Sequence, residues 1–598
     1  PTPQATATVA VPPTPVAYPS PSAVATAAWT ASPLPTATPT CWPAPQDLVP
    51  GQFIAKMFTE ALGQAPSPLR WQEWIDFFQR NGCREAALRS KVIEIYSDPA
   101  YGFAELYEDP AARLLALYRG ALNREPDAEG FQRFRQHGGP WHRLVQDFMA
   151  YYGPEFAALA CRICAPPGAP PLYQEAPYGW EGRYAPLAPP VMPVDDCGLP
   201  AERVLASNSE DELRRRLAEA MPGETVYLAQ KVVVELTAPL VVPRGVTLAT
   251  CQNPGQEPIP ARYALMGRLV RADLFGGPLV LLETAGHLDM VWVDGQQAQR
   301  RDHLGAAVNV LIADYGDFPG GQTGVTGSRL SDSCGWTQVY AVGRYETGHP
   351  CANVHIGGNL LTGYANSHYG GRHVDGMSIA CENTTVEGNQ IVDASDVSIV
   401  IFRCGAGCVQ RSQVRDNTIL NAGNSAFGAM TVDPLLRGLG QSEEYFTVRL
   451  ERNVMWTGPT AHVDIAISLG TRAWYGLLAN VGLGPRCGDT PCPSVVLADN
   501  TTSASAGPAL TLRCNTPIAI SGMRDVCLSG NDLAIETVRT TSCPRYDPEH
   551  WPGRIVFANV CCPQRQNCVC GEWASFSGDC AAPPFRDVNI GLCNRHLP

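Results

Sequence analysis

A six-residue pattern, apolar–x–x–Asn–x–apolar, recurs through the second half of this chain. It reads IGGNLL (Asn359), VEGNQI (Asn389), VRDNTI (Asn417), LERNVM (Asn453), LADNTT (Asn500, with Thr502 ending the unit) and LSGNDL (Asn531), while VTGSRL carries Ser328 in the Asn slot. Each unit is long enough for one short strand with its inward apolar positions two apart. Asparagine tolerates the left-handed bend that ends such a strand, and stacked Asn side chains can hydrogen-bond from one unit to the next. A second strand follows in several units: DGMSIA, DVSIVIF, FGAMTV, DIAISL and PALTLRC. Self-similarity of this length with variable intervening loops predicts a solenoid, a mostly β chain wound as a right-handed parallel β-helix.

The 22 cysteines are even in number and spread along the chain, which predicts an exported, disulfide-bonded protein, secreted or held at a cell surface. Zinc is the rival use of the CRIC pair, Cys161 and Cys164, but no second ligand pair follows at zinc-finger distance. CGAGC (Cys404, Cys408) and CGDTPC (Cys487, Cys492) read as loop staples. The net charge of −13 and the lack of any basic run argue against a nucleic-acid partner. Lysine is nearly absent: Lys56, Lys91 and Lys231 are the only ones. No apolar run is long enough to span a membrane, and a chain beginning with Pro rather than Met is expected to have lost an export signal or anchor.

Residues 1–40 are dominated by Pro, Thr, Ala and Ser and carry no charge, an extended tail that could reach on the order of 100 Å. It reads either as a stalk or as a strap on a neighbouring copy. Residues 41–165 are expected to be helical and duplicated at an offset of 60: Phe58 answers Tyr118, Leu62 answers Leu122, Pro66 answers Pro126, and Trp71 and Trp74 answer Phe131 and Phe134. Residues 166–200 form a Pro-rich linker and 201–540 the β-helix. Within the latter, Ser209 and Glu212 make a capping box for an N-terminal cap helix. Seven cysteines between Cys543 and Cys593 mark residues 541–598 as a Cys-rich C-terminal cap.

Three resemblances attach to these segments. LYRGALNREPDAEGFQRF with the following YYGPEF resembles a bacterial extracellular helical family of unknown function, which implies a module of exported proteins and no chemistry. SNSEDELRRRL…PGETVYL…VPRGVTL resembles the N-terminal cap of the pectate-lyase-like β-helix superfamily, and LDMVWVDGQ resembles an early turn of the same coil. Asp375-Gly376 and Asp396 resemble part of the polygalacturonase signature, N-T-D-G followed by D-D. Here His373 replaces the asparagine, Ser395 or Val397 stands at the second carboxylate, and the later G-H-G and R-I-K elements have no match.

That resemblance implies Asp375 and Asp396 as acid and base of an inverting glycosidase. A lyase is the other enzymatic option, recruiting Asp375, Asp396 and Asp464 with Arg372 or Arg403 as base; Ca²⁺ enters only there, and otherwise no cofactor or metal is expected. Asp is equally a turn residue, and three of five coils place one at the same corner. For polysaccharide binding the candidates are Trp336, Tyr364, His368, Tyr369, Arg372, His373 and Arg403, although such aromatics more often seal loops. The leading expectation is a secreted surface or appendage protein that self-assembles into filaments or a surface layer through its tail, its partners being copies of itself and polysaccharide. The alternative is a pectinase-like hydrolase or lyase using Asp375 and Asp396.

Overall fold

The computed structural model describes residues 44, 48–107, 109–165, 197–252, 263–272, 275–296, 308–313, 321–333, 335–343, 351–363, 374–402, 404, 411–433, 447–470, 494–502, 510–521, 525–529, 535–537 and 556–558. The tail, most of the linker, nearly all of the Cys-rich C-terminal segment and Asn531 lie outside them.

Among the described residues the chain winds as a parallel β-helix with three sheets of 11, 12 and 8 strands, and every strand pairing between successive coils is parallel. The first sheet holds the strands that enter each Asn (Val354–Gly357, Thr385–Glu387, Gln413–Arg415, Thr447–Glu451). The third, 8-stranded sheet holds those that leave it (Leu360–Thr362, Gln390–Val392, Thr418–Asn421, Val454–Thr457). The second sheet is built from Asp375–Glu382, Val397–Phe402, Ala426–Asp433 and Val463–Gly470. Inward residues such as Ile356, Leu361, Met377, Val386, Ile391, Ile399, Val414 and Ile419 fill one continuous core.

The asparagines stack. Each side-chain Nδ2 donates to Oδ1 of the next at 2.9 Å, from Asn359 to Asn389, Asn417, Asn453 and Asn500. Each Oδ1 also accepts the backbone N–H of the preceding asparagine, and Nδ2 reaches a carbonyl such as Val386 O at 3.0 Å. All five are buried, so each amide is satisfied within the coil. Ser328 continues the ladder, its N–H on Asn359 Oδ1 at 2.9 Å. One expectation is corrected. The left-handed backbone falls on the residue before each asparagine (Gly358, Gly388, Asp416, Arg452 and Asp499, φ from 54° to 64°) rather than on the asparagine itself. Asparagine is there for its amide, and the preceding residue absorbs the bend.

Helix Glu210–Glu219 closes the N-terminal end. Ser209 Oγ accepts the Glu212 N–H at 3.2 Å, and Leu213 and Leu217 join the coil's core. Disulfides tie Cys197 to Cys251 and Cys351 to Cys381, the latter between strands in register on adjacent coils. In the CRIC pair, Cys164 bonds to Cys83, 81 residues away, and Cys161 is also disulfide-bonded, so neither is a thiolate ligand. Cys514 is a free thiol buried in the core.

Segments 60 residues apart share their element ends. Helices Gly51–Leu62 and Pro110–Leu117, the latter continued by a wider turn over Tyr118–Leu122, end on left-handed Gly63 and Asn123 at equivalent positions. The second helix of each copy starts on a capping side chain: Ser67 accepts from Arg70 N–H, and Asp127 from Gly130 N–H. The copies meet at Gly120, where a Cβ would lie 1.8 Å from Tyr96 Oη and 3.3 Å from Glu60 Cβ. Only glycine permits that approach.

The helices do not stand apart from the coil. Phe53, Phe58, Trp71, Trp74, Tyr118 and Leu122 share one buried cluster with Trp292, Leu360, Val392, Leu420 and Trp456 on the outward face of the third sheet. The apolar face of the helical segment is therefore covered by its own β-helix.

Candidate functional site

Register decides how the three aspartates relate. Thr337 pairs with Asp375, Val397 with Gly428, and Gly428 with Ile465. Because Met377 pairs with Ile399, Asp375 stands opposite Val397, not Asp396. The preceding position is occupied in successive coils by Trp336, Val374, Asp396, Phe427 and Asp464. Asp396 and Asp464 thus share a row, with Phe427 between them, and Asp375 is one residue out of step. Successive strand residues alternate faces, so a single step changes everything about its environment. The corner shared by three aspartates, expected from their spacing, is corrected to two plus one.

Asp375 has the parity of the core residues Met377 and Ile379. Its Oδ2 accepts from Ser378 Oγ at 2.7 Å and its Oδ1 from the Val397 N–H at 3.0 Å. It is 5% exposed and lines a cavity of only about 10 Å³, room for about one water. Burial, and then the neighbouring Asp396, push its carboxyl well above the usual carboxylate range. The D-G carboxylate thus joins one turn of the coil to the next.

Asp396 and Asp464 are half-buried on the outward row with Trp336 and Phe427. Two coil steps of about 4.8 Å put their backbones about 9.6 Å apart, near the upper end of the carboxylate separation of roughly 6.5–9.5 Å that inverting glycosidases use. Beside Asp464, Ser425 Oγ lies 3.0 Å from His462 Nδ1, and His462 Nε2 lies 3.7 Å from Asp464 Oδ1. The second distance is too long for a hydrogen bond, so the imidazole is not held as a nucleophilic triad requires. Trp336 packs edge-on against Tyr340, ring centroids 4.9 Å apart, which partly occupies the ring as a wall element. Among the described residues no group of three or more His, Cys, Asp and Glu side chains could hold a metal ion. Tyr364, His368, Tyr369, Arg372, His373 and Arg403 lie outside the described residues.

Among the described residues a dense concentration of buried charge lies elsewhere, at positions that carry no sequence motif. One outward row of the third sheet runs Arg268, Trp292, Arg329, Leu360, Gln390, Thr418, Val454. The Arg268 and Arg329 guanidinium carbons each sit 4.2 Å from the Trp292 ring centroid, one from the preceding coil and one from the following. Arg119, from the helices, approaches the same ring at 4.9 Å. Glutamates of the helical segment meet these cations: Glu125 bonds Arg268 and Arg119, and Glu60 bonds Arg329 and Lys56. Asp294 pairs with Arg268 from within the coil, while burial and then the nearby Asp294 raise the Asp332 carboxyl well above its ordinary range. The equivalent positions Ala65 and Glu125 of the two copies contact this one row, at Gln390 and Arg268. The only available sequence signal was the Glu and Arg within LYRGALNREPD; its coil partners carry none.

No family model matches the chain, and no curated protein does. Two solved structures are similar to it at a low level. One is the catalytic unit of a thermostable GH87 α-1,3-glucanase from Streptomyces thermodiastaticus strain HF3-3, 14% identical, covering 66% of this chain and 73% of the other, with a TM-score of 0.31. The second is the Dettilon tailspike protein, 10% identical, covering 56% and 67%, with a TM-score of 0.29. Likenesses of this degree carry no argument about activity.

Proposed function

We propose that the chain is an exported structural protein, a stiff β-helical rod that holds polysaccharide on its outer surface without cleaving it. The placement of Asp375 carries this reading. The carboxylate that the pectinase-like signature would make catalytic is sealed in the coil, with one oxygen bonded to Ser378 and the other to the backbone of the next turn. An acid and a base flanking a glycosidic bond must both be reachable. The disulfides Cys83–Cys164, Cys197–Cys251 and Cys351–Cys381 support export, since a reducing cytosol would keep them open. The ladder and the ion-paired seam support a rod that bears the helical segment rigidly. Self-assembly through residues 1–40 completes the proposal.

The test is a polysaccharide panel assayed for both retention and product. Retention on at least one glycan, with no reducing or unsaturated sugar released, is expected. Sugar release that disappears in Asp396→Asn would overturn the non-catalytic reading in favour of a hydrolase working through Asp396 and Asp464, which their shared row keeps as the second reading. Electron microscopy of the secreted protein should show filaments or lattices; uniform monomers would remove the self-assembly.

A further inference from the structure

The three sheets turn different faces outward. The helical segment covers the third. The first carries polar groups paired among themselves: His355 and Arg415 with Glu387, and Arg449 with Glu451. The second begins otherwise. In its strands Leu240–Val242, Pro278–Glu283, Val308–Ala313 and Thr337–Val342, register aligns Val241, Leu281, Leu311 and Tyr340 in one row. The neighbours on either side of each, such as Val280 and Leu282, face the core, so alternation turns this row outward. Val241 is 38% exposed and the other three are half-buried. Ser378, the next member, is buried, so the row forms an apolar stripe three coil steps, about 14 Å, long. Trp336 packs edge-on against Tyr340 at its end. Glu283 stands beside Leu281, but its carboxylate already accepts the Arg244 N–H at 3.2 Å. A contiguous apolar stripe of this kind marks a contact surface.

The chain carries a segment whose chemistry fits it. Residues 1–40 have no charge, and Val9, Pro12, Pro15, Tyr18, Pro21 and Val24 recur in them at every third position. A second phase of the same period carries Thr14, Ser20 and Thr26. Polyproline II has three residues per turn, so the first set would share one edge and the second another. Its turn is about 9.3 Å long, and two coil steps are about 9.6 Å. A tail laid along the coil axis would therefore meet every second member of the row in phase. Such a segment loses little entropy on docking against aromatic and apolar side chains, and neither surface brings a charge to bury. We propose that the stripe Val241–Leu281–Leu311–Tyr340 is the docking face for the tail of a neighbouring copy, laid along the coil axis with its Pro12–Pro15–Tyr18–Pro21 edge down. The proposal rests on the reading of self-assembly through residues 1–40 and adds the surface that receives them. About five tail residues span the stripe, too few for a tight single contact, so the assembly gains its strength from repetition over many copies.

The experiment uses the full chain with a photo-crosslinking benzophenone side chain at position 18, in a mixture of light and heavy-isotope copies. Peptide mass spectrometry should find mixed-isotope crosslinks from that position to the strands Pro278–Glu283, Val308–Ala313 or Thr337–Val342. Mixed-isotope crosslinks to another surface would overturn the stripe and leave self-assembly standing. Crosslinks confined to one isotope would overturn docking between copies. Analytical ultracentrifugation then tests the phase: Tyr18→Asp should weaken association about tenfold, and Ser20→Asp should leave it unchanged. Equal losses in the two would overturn the edge assignment. Leu281→Asp should lose association as Tyr18→Asp does while unfolding at the parent's temperature. Should it fail to fold, Tyr18→Asp still decides, because that residue lies outside the coil. Association undiminished in Tyr18→Asp would overturn the proposal, and a parent that stays monomeric at every concentration would overturn the self-assembly with it.

Discussion

Glu60 grips Arg329 with both carboxylate oxygens, at 2.9 and 2.6 Å, across 269 residues of chain. Neither residue is more than 3% exposed, and Arg329 stacks on Trp292 as it pairs. The pair pins the first helical copy to one turn of the coil, as Glu125 and Arg268 pin the second.

Removing one partner leaves a buried charge without its counter-ion. Glu60→Ala should cost about 3–5 kcal/mol, whereas Glu60→Leu with Arg329→Met and Lys56→Met, which removes both cations that Glu60 pairs, should cost markedly less than Glu60→Ala alone. Denaturant unfolding of the three proteins checks this. A triple variant as damaged as the single would mean that the ion pairs themselves, not the orphaned charges, hold the seam.

Asn417 sits mid-ladder, accepting from Asn389 and donating to Asn453. Asn417→Ala orphans one Nδ2–H and the backbone N–H of Asn389 together, the other Nδ2–H staying on Ile356 O, so a loss of about 3 kcal/mol is expected. Asn389→Ala should cost about the same, and the two together less than their sum, because they share a hydrogen bond. Equilibrium unfolding of the double-mutant cycle measures it.

Asp393 should make stability fall as pH rises. Burial lifts its carboxyl to about 7, although the Gly423 and Asn424 N–H groups donate to its Oδ1. Its folded value lies above the unfolded carboxylate value, so its contribution is complete below about pH 4 and is lost as pH climbs through 7. Asp393→Asn keeps the Oδ1 acceptor and suits the left-handed backbone at φ 60°. It should flatten the pH 4 to 7 segment of the melting-temperature profile; an unchanged slope would show that Asp393 does not govern it.

Every lysine in the chain is buried and paired: Lys56 with Glu60, Lys91 with Glu94, Lys231 with Asp109. Lysine is ordinarily a surface residue. Amine-directed acylation of the folded protein, read by peptide mass spectrometry, should leave Lys56 and Lys231 unmodified until denaturant opens the seam. Prompt labelling of either would mean that the helical segment lifts off the coil under native conditions.

The coil was legible because its signal is periodic and local. An asparagine at a fixed place in each turn repeats along the chain, and the Ser209–Glu212 cap and the 60-residue duplication are likewise read from spacing alone. The aspartates were legible as residues but not as a set. DGMSIA and DVSIVIF look alike in sequence, yet the pairing of Met377 with Ile399 sets Asp375 one step out of line with Asp396.

What the sequence by itself determined is the winding: recurrent strands, an amide ladder and a disulfide-bonded chain, each written in short-range pattern. Only the tertiary structure decided that the helical copies lie against the third sheet and that their glutamates find Arg268 and Arg329. It alone decided which face each aspartate takes. The physical reason is that such pairings join residues hundreds of positions apart through burial and strand register. A shift of one residue reverses the register, and no local pattern records it.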